Sequence, residues 1–200
     1  MYKRQVERDL AIVAELGLEL RYTLETHLHA DHITGGGQIR AAVGAQCVVA
    51  RAAGETLADV KVEHGDQLSF GRFALEVRST PGHTSGCVSY VDHAGRRVFT
   101  GDALMVRGCG RTDFQQGCAD TLYASVHNVL FSLPDDYLVY PGHDYRGRTV
   151  STVAEERSHN PRLGQGRSIE EFRRIMAALD LAHPAKLAEA VPANRRCGMP

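Results

Sequence analysis

Nothing in this 200-residue chain approaches the roughly 20 consecutive apolar residues of a membrane span. Its opening, MYKRQVERDL, lacks the apolar core of a signal peptide. Both absences point to a soluble, unexported protein with no membrane partner. Net charge is also missing: 23 Lys and Arg against 24 Asp and Glu leave −1. That balance gives no electrostatic ground for a nucleic-acid partner. The five cysteines, Cys47, Cys87, Cys109, Cys118 and Cys197, are odd in number and never spaced CxxC. This excludes a disulfide framework and a thiolate zinc knuckle, and fits a reducing compartment such as the cytoplasm. Internal repeats and low-complexity tracts are absent too.

What is present suffices for one well-buried domain, since 43% of 200 residues are hydrophobic, and the length is too small for two large ones. We expect a single domain over 1–200, on which a helical tail from about 160 packs. Apolar residues at Val6, Leu10, Val13 and Leu16 keep helical spacing, and Gly17 marks a stop. Leu20, Tyr22 and Leu24 alternate as in a strand. Stretches 46–50, 60–62, 67–70, 73–79, 87–91, 97–100 and 137–140 read as further strands. Helices are expected over 37–43, from 120 to about 132, over 150–158 and over 169–179. This order of elements predicts a layered α/β (α+β) protein with helices outside the sheets.

The densest chemistry lies in THLHADHITGGG at 26–37, where His27, His29, Asp31 and His32 crowd six positions and a glycine run follows. Burying three imidazoles and a carboxylate without a common partner is costly, so the cluster points to a metal. Three more donors each follow a predicted strand: His83 in STPGHTSG, Asp102 in FTGDAL and His143 in VYPGHDY. The C-terminal ends of strands are where α/β sheets place their ligands. A nitrogen and oxygen set without cysteine suits zinc, iron or manganese. His64, His93, His127, His159 and His183 stand alone and read as structural or solvent-exposed.

These motifs resemble the metallo-β-lactamase superfamily, and the resemblance implies an αβ/βα sandwich of two mixed β-sheets flanked by helices. Within the superfamily, THLHADHITG, GCGRTDFQQG at 108–117, YPGHDYRGRTVSTVAEER at 140–157, NPRL at 160–163 and VPANRRCG at 191–198 resemble the persulfide dioxygenases. These are the sulfur dioxygenases of the ethylmalonic-encephalopathy-protein type. Relative to that family the chain opens some tens of residues late, so N-terminal edge strands are expected to be missing.

The resemblance implies His27, His83 and Asp102 as ligands of one catalytic Fe(II), with His29, Asp31, His32 and His143 as outer residues or as holders of a second metal. It further implies that glutathione persulfide and O2 become sulfite and glutathione, in the cytoplasm or in a mitochondrial matrix. A homodimer and a rhodanese-type partner are compatible with it. Glutathione is anionic, so its pocket should offer arginine or hydroxyl donors, and the resemblance points to Arg111, Tyr145 and Arg196, with Arg107 behind them, as the substrate contacts. Cys109 is placed either lining the same cavity or as an inert buried thiol, and Asp144 either holding His143 or holding its loop. Two alternatives stay open. One is a glyoxalase II-like hydroxyacylglutathione thioester hydrolase with one or two zinc ions, although only about 50 residues follow His143, short of a helical substrate domain. The other is a non-catalytic metal-binding protein.

Overall fold

The run Cys47-Val48-Val49-Ala50 is apolar at every position, the pattern of a strand covered on both faces. In the structure, a computed structural model that describes residues 2–199 with side chains from Gln5 onward, all four residues are buried. They belong to β2 (Gln46–Ala50), which pairs in parallel with β1 (Tyr22–Leu24) and β3 (Val60–Val62). Helices α1 (Tyr2–Glu15) and α2 (Gly36–Val43) accompany this sheet, and α2 packs on β1 and β2. Gly17 takes the left-handed conformation at φ 61°, where the amide of Leu18 returns to the carbonyl of Val13 and ends the first helix.

The chain forms two compact units. The smaller contains the residues up to Val62 together with those from Ala182 on, so both chain ends build it. Its last helix, α6 (Leu187–Arg195), carries Pro192 inside and was not anticipated as an element. The expected tail therefore divides: residues from Ala182 belong to this unit and those before it to the other.

The larger unit, Glu63–Leu181, is built on a six-stranded sheet in chain order. Its strands are β4 (Gln67–Phe70), β5 (Phe73–Ser79), β6 (Val88–Asp92), β7 (Arg97–Gly101), β8 (Leu138–Pro141) and β9 (Ser151–Thr152). All neighbours are antiparallel except β7 and β8. This sheet is mixed as expected, whereas the three described strands of the smaller unit are all parallel. Val91, Val98, Val139, Leu122, Leu130, Leu163 and Phe172 form the centre of its core.

Three helices complete the larger unit: α3 (Ala119–Ser125), α4 (Val153–His159) and α5 (Ile169–Ala177). The helix expected to run to about 132 turns π-helical over Val126–Leu130. The helix expected from 150 starts at Val153, because Ser151 and Thr152 pair with β8 and the Thr152 side chain caps the helix by accepting from Glu155 N–H. Ser168 and Glu171 form a reciprocal capping box at the start of α5.

Candidate metal centre

The end of β7 places Asp102. Gly101 adopts φ 52°, a left-handed turn open to a residue without a Cβ, and the register with β8 shifts between Phe99 and Gly101. Two backbone bonds fix the turn. Gly142 N–H donates to the Gly101 carbonyl at 2.8 Å, and Gly110 N–H donates to the Asp102 carbonyl at 2.7 Å. Asp102 is only 6% exposed, and its two oxygens face different histidines. Oδ1 lies 2.8 Å from Nδ1 of His143, and Oδ2 lies 3.5 Å from Nε2 of His83.

His83 is oriented from behind. Its Nδ1 lies 2.7 Å from the carbonyl oxygen of Arg111, so Nδ1 carries the proton and donates, and Nε2 is turned toward Asp102. A histidine held in this way on a backbone carbonyl is the arrangement in which the other nitrogen ligates a metal. The packing is tight, since a methyl group on Gly110 would stand 2.7 Å from His83 Nδ1.

In the smaller unit, β1 delivers Glu25 and then the histidine loop. His27 is 3% exposed, and its Nδ1 lies 3.1 Å from Thr26 Oγ1. The rings of His27, His29 and His32 follow one another at centroid separations of 4.2 and 4.1 Å. Nδ1 of His32 lies 3.1 Å from Asp31 Oδ1. One donor atom each from His29, Asp31 and His32 come within 4.8 Å of one another. Glu25 was missed at the level of sequence. Burial pushes its pKa up, but the bonds from His29 and Thr34 and the nearby His32 outweigh that and hold it below the usual range.

Asn194 was missed as well, although it sits in the quoted VPANRRCG. From the tail, its Nδ2 donates to the carbonyls of His29 and His32, both at 2.8 Å, and its Oδ1 accepts from Thr34 N–H at 2.9 Å. One side chain thus ties down three backbone positions of the loop.

The expected substrate contacts fare differently. A cavity of about 180 Å3 in the larger unit is lined by Met105, Arg107, Cys109, His143, Tyr145, Arg148 and Arg162, among others. Tyr145 is 79% exposed and stacks parallel on His143, with centroids 5.7 Å apart. Arg111 does not line this cavity: its guanidinium pairs with both oxygens of Asp113 at 2.6 Å and lies over the Phe114 ring. Arg107, expected as a fourth contact, lines the cavity with its guanidinium paired to Glu155 and Glu156. Arg196 is exposed in the smaller unit and donates to the Met199 carbonyl.

Cys109 both lines the cavity and is buried, and burial pushes its thiol pKa up to about 11. Asp144 accepts from the amide of Arg146, and such backbone bonds from Arg146 and Arg148 lower its pKa, so it holds the loop. Of the histidines given no role, His64 accepts from Ser79 N–H and His93 bonds Glu76 and Tyr137.

The model of the metallo-beta-lactamase superfamily matches residues 2–143. The chain belongs to that superfamily. Its fold, two sheets flanked by helices, is the superfamily's own. A mitochondrial persulfide dioxygenase, ETHE1 of Homo sapiens, is 57% identical over 96% of this chain and 75% of that protein. The crystal structure of ETHE1 from Myxococcus xanthus matches with a TM-score of 0.93 at 54% identity, covering 98% of this chain and 85% of that one. A hydroxyacylglutathione hydrolase from Brucella anthropi is only 32% identical, over 92% of this chain and 70% of that protein. Within the superfamily the chain thus falls with the persulfide dioxygenases, and it is an oxidoreductase. No helix among the described residues is long and apolar enough to cross a membrane.

Proposed function

We propose that the chain oxidises glutathione persulfide with O2 and water to sulfite and glutathione, at a single Fe(II) held by His27, His83 and Asp102. The observation that carries this reading is the convergence of His83 and Asp102, whose Nε2 and Oδ2 lie 3.5 Å apart while Nδ1 faces the Arg111 carbonyl and Oδ1 faces His143. His27 is assigned as the third ligand from its place in the superfamily motif. A pair of imidazoles with one carboxylate is a donor set that suits non-haem Fe(II) and leaves positions open to ligands. When bound, the iron supplies the redox chemistry and those open positions.

The protein's share is position and charge. The Arg111 carbonyl fixes one tautomer of His83, and His143 fixes the rotation of the Asp102 carboxylate. His29, Asp31 and His32 act on the same centre from outside the ligand set. Glutathione carries carboxylates, and the cavity beside His143 offers the guanidinium of Arg148 and the hydroxyl of Tyr145 to anchor them. Holding the persulfide there turns a diffusive encounter with the oxidant into reaction within a complex.

Oxygen uptake on adding fresh glutathione persulfide tests the reading. Iron-loaded protein should consume O2 and release sulfite, zinc-loaded protein should not, and His83→Ala should abolish uptake. Folded, iron-occupied protein that consumes no O2 but hydrolyses a glutathione thioester would sink the reading in favour of hydrolysis.

A further inference from the structure

The motifs GCGRTDFQQG, VAEER and NPRL hold no proposed metal ligand, yet they meet in one buried network of the larger unit. Glu156 is fully buried, and its carboxylate gathers four donors. Oε2 accepts from Arg107 N–H at 2.9 Å and from Asn160 Nδ2 at 2.8 Å, while Oε1 accepts from Ser151 Oγ at 2.7 Å and from the Arg107 guanidinium. Asn160, also fully buried, donates to the Gly108 carbonyl at 3.0 Å and accepts from Arg162 N–H and Leu163 N–H. Arg162 Nη1 then donates to the Cys109 carbonyl at 2.8 Å. Residues 107, 108 and 109 are therefore each fixed at a backbone atom. The next two residues touch the metal side of the unit, Gly110 through the Asp102 carbonyl and Arg111 through His83 Nδ1.

We infer that Glu156 and Asn160 are positioning residues for His83. They hold the 107–109 backbone so that the Arg111 carbonyl keeps the proton on Nδ1 and turns Nε2 toward Asp102. A network whose members satisfy one another is rigid, and losing one member releases the rest. Exposed side chains could not do this, because water would replace each bond at little cost. The inference rests on the metal reading above for its consequence, but the tautomer it concerns exists without metal.

Two measurements on the full chain test it. Ring-nitrogen NMR of the metal-free protein should show His83 as the Nδ1–H tautomer, and Glu156→Gln and Asn160→Ala should each shift it toward a mixture. Co(II) titration should show affinity falling about ten- to a hundredfold in these variants, with an altered visible spectrum. Arg162→Met, which keeps the apolar stem and removes only the bond to Cys109, should show a smaller change in the same direction and stays informative if the buried variants do not fold. Leu130→Ala supplies a core-destabilised control outside the network that should keep the wild-type tautomer and Co(II) spectrum. Wild-type tautomer and affinity in Asn160→Ala and Arg162→Met would overturn the inference, as would the same losses in Leu130→Ala. Wild-type protein that binds no Co(II), with the tautomer shift still present in the variants, would keep the positioning role and remove the metal reading.

Discussion

The Nδ1 of His83 and the carbonyl oxygen of Arg111, 28 positions apart in the chain, lie 2.7 Å apart. The arginine thus acts on the metal side of its unit through its main chain, while its guanidinium is paired with Asp113. Substituting Arg111 removes the side chain and leaves that carbonyl in place. The sensitive position is its neighbour.

Gly110→Ala is expected to cost activity out of proportion to its size. The added methyl would lie 2.7 Å from His83 Nδ1 and 2.8 Å from the Asp102 carbonyl, closer than carbon tolerates. A shift of the imidazole by a fraction of an ångström to about 1 Å should lower kcat/KM for persulfide oxidation about a hundredfold. Circular dichroism should stay native, and metal content by mass spectrometry should fall.

Asn194→Ala should loosen the histidine loop. It strands the carbonyls of His29 and His32 without their amide donor. The expected loss is about 2 kcal/mol, or roughly 4–8 °C in Tm. Calorimetry of the metal-free protein checks it, and an unchanged Tm would show that water replaces the side chain.

Acid should act through Asp59. Its carboxylate accepts from the amide of Cys47 at 2.8 Å, burial opposes this, and Arg40 adds an ion pair, with the net result a lowered pKa. A carboxyl whose folded pKa is depressed contributes stability that is present above its unfolded value, about 3.9, and lost as pH falls through the folded value. Denaturant midpoints between pH 6 and 2 should therefore fall less steeply in Asp59→Asn, from a lower starting point, than in the wild type.

Alkylation should sort the thiols. Cys118 is exposed, and hydrogen bonds from Thr121 lower its pKa, whereas burial pushes Cys87 and Cys109 up to about 11. Iodoacetamide at neutral pH should modify Cys118 first, and mass spectrometry of the native protein should find Cys87 and Cys109 untouched on the same timescale.

The parts legible in the sequence were those whose signal is local. Strand β2 follows from an unbroken apolar run, and the histidine loop from six crowded positions. Helix α6 escaped because Pro192 breaks its pattern and alanine supplies much of its buried face. Strand β9 escaped because two residues become a strand only when β8 lies beside them. Glu156, Asn160 and Asn194 were visible only as letters within motifs. Their partners lie up to 165 positions away, and a lone polar residue carries no mark of the backbone atom it will serve. Arg107 is a parallel case: its sequence position carries no mark of the two glutamates four dozen positions on that pair with it.

Because Asn194 holds the loop that begins at His27, segments more than 160 positions apart must meet before the histidines take their set shape. The stretch Glu63–Leu181 is contiguous, and its internal contacts wait for neither of them. In folding, then, the cluster of imidazoles depends on a long-range closure that carries its own entropy cost.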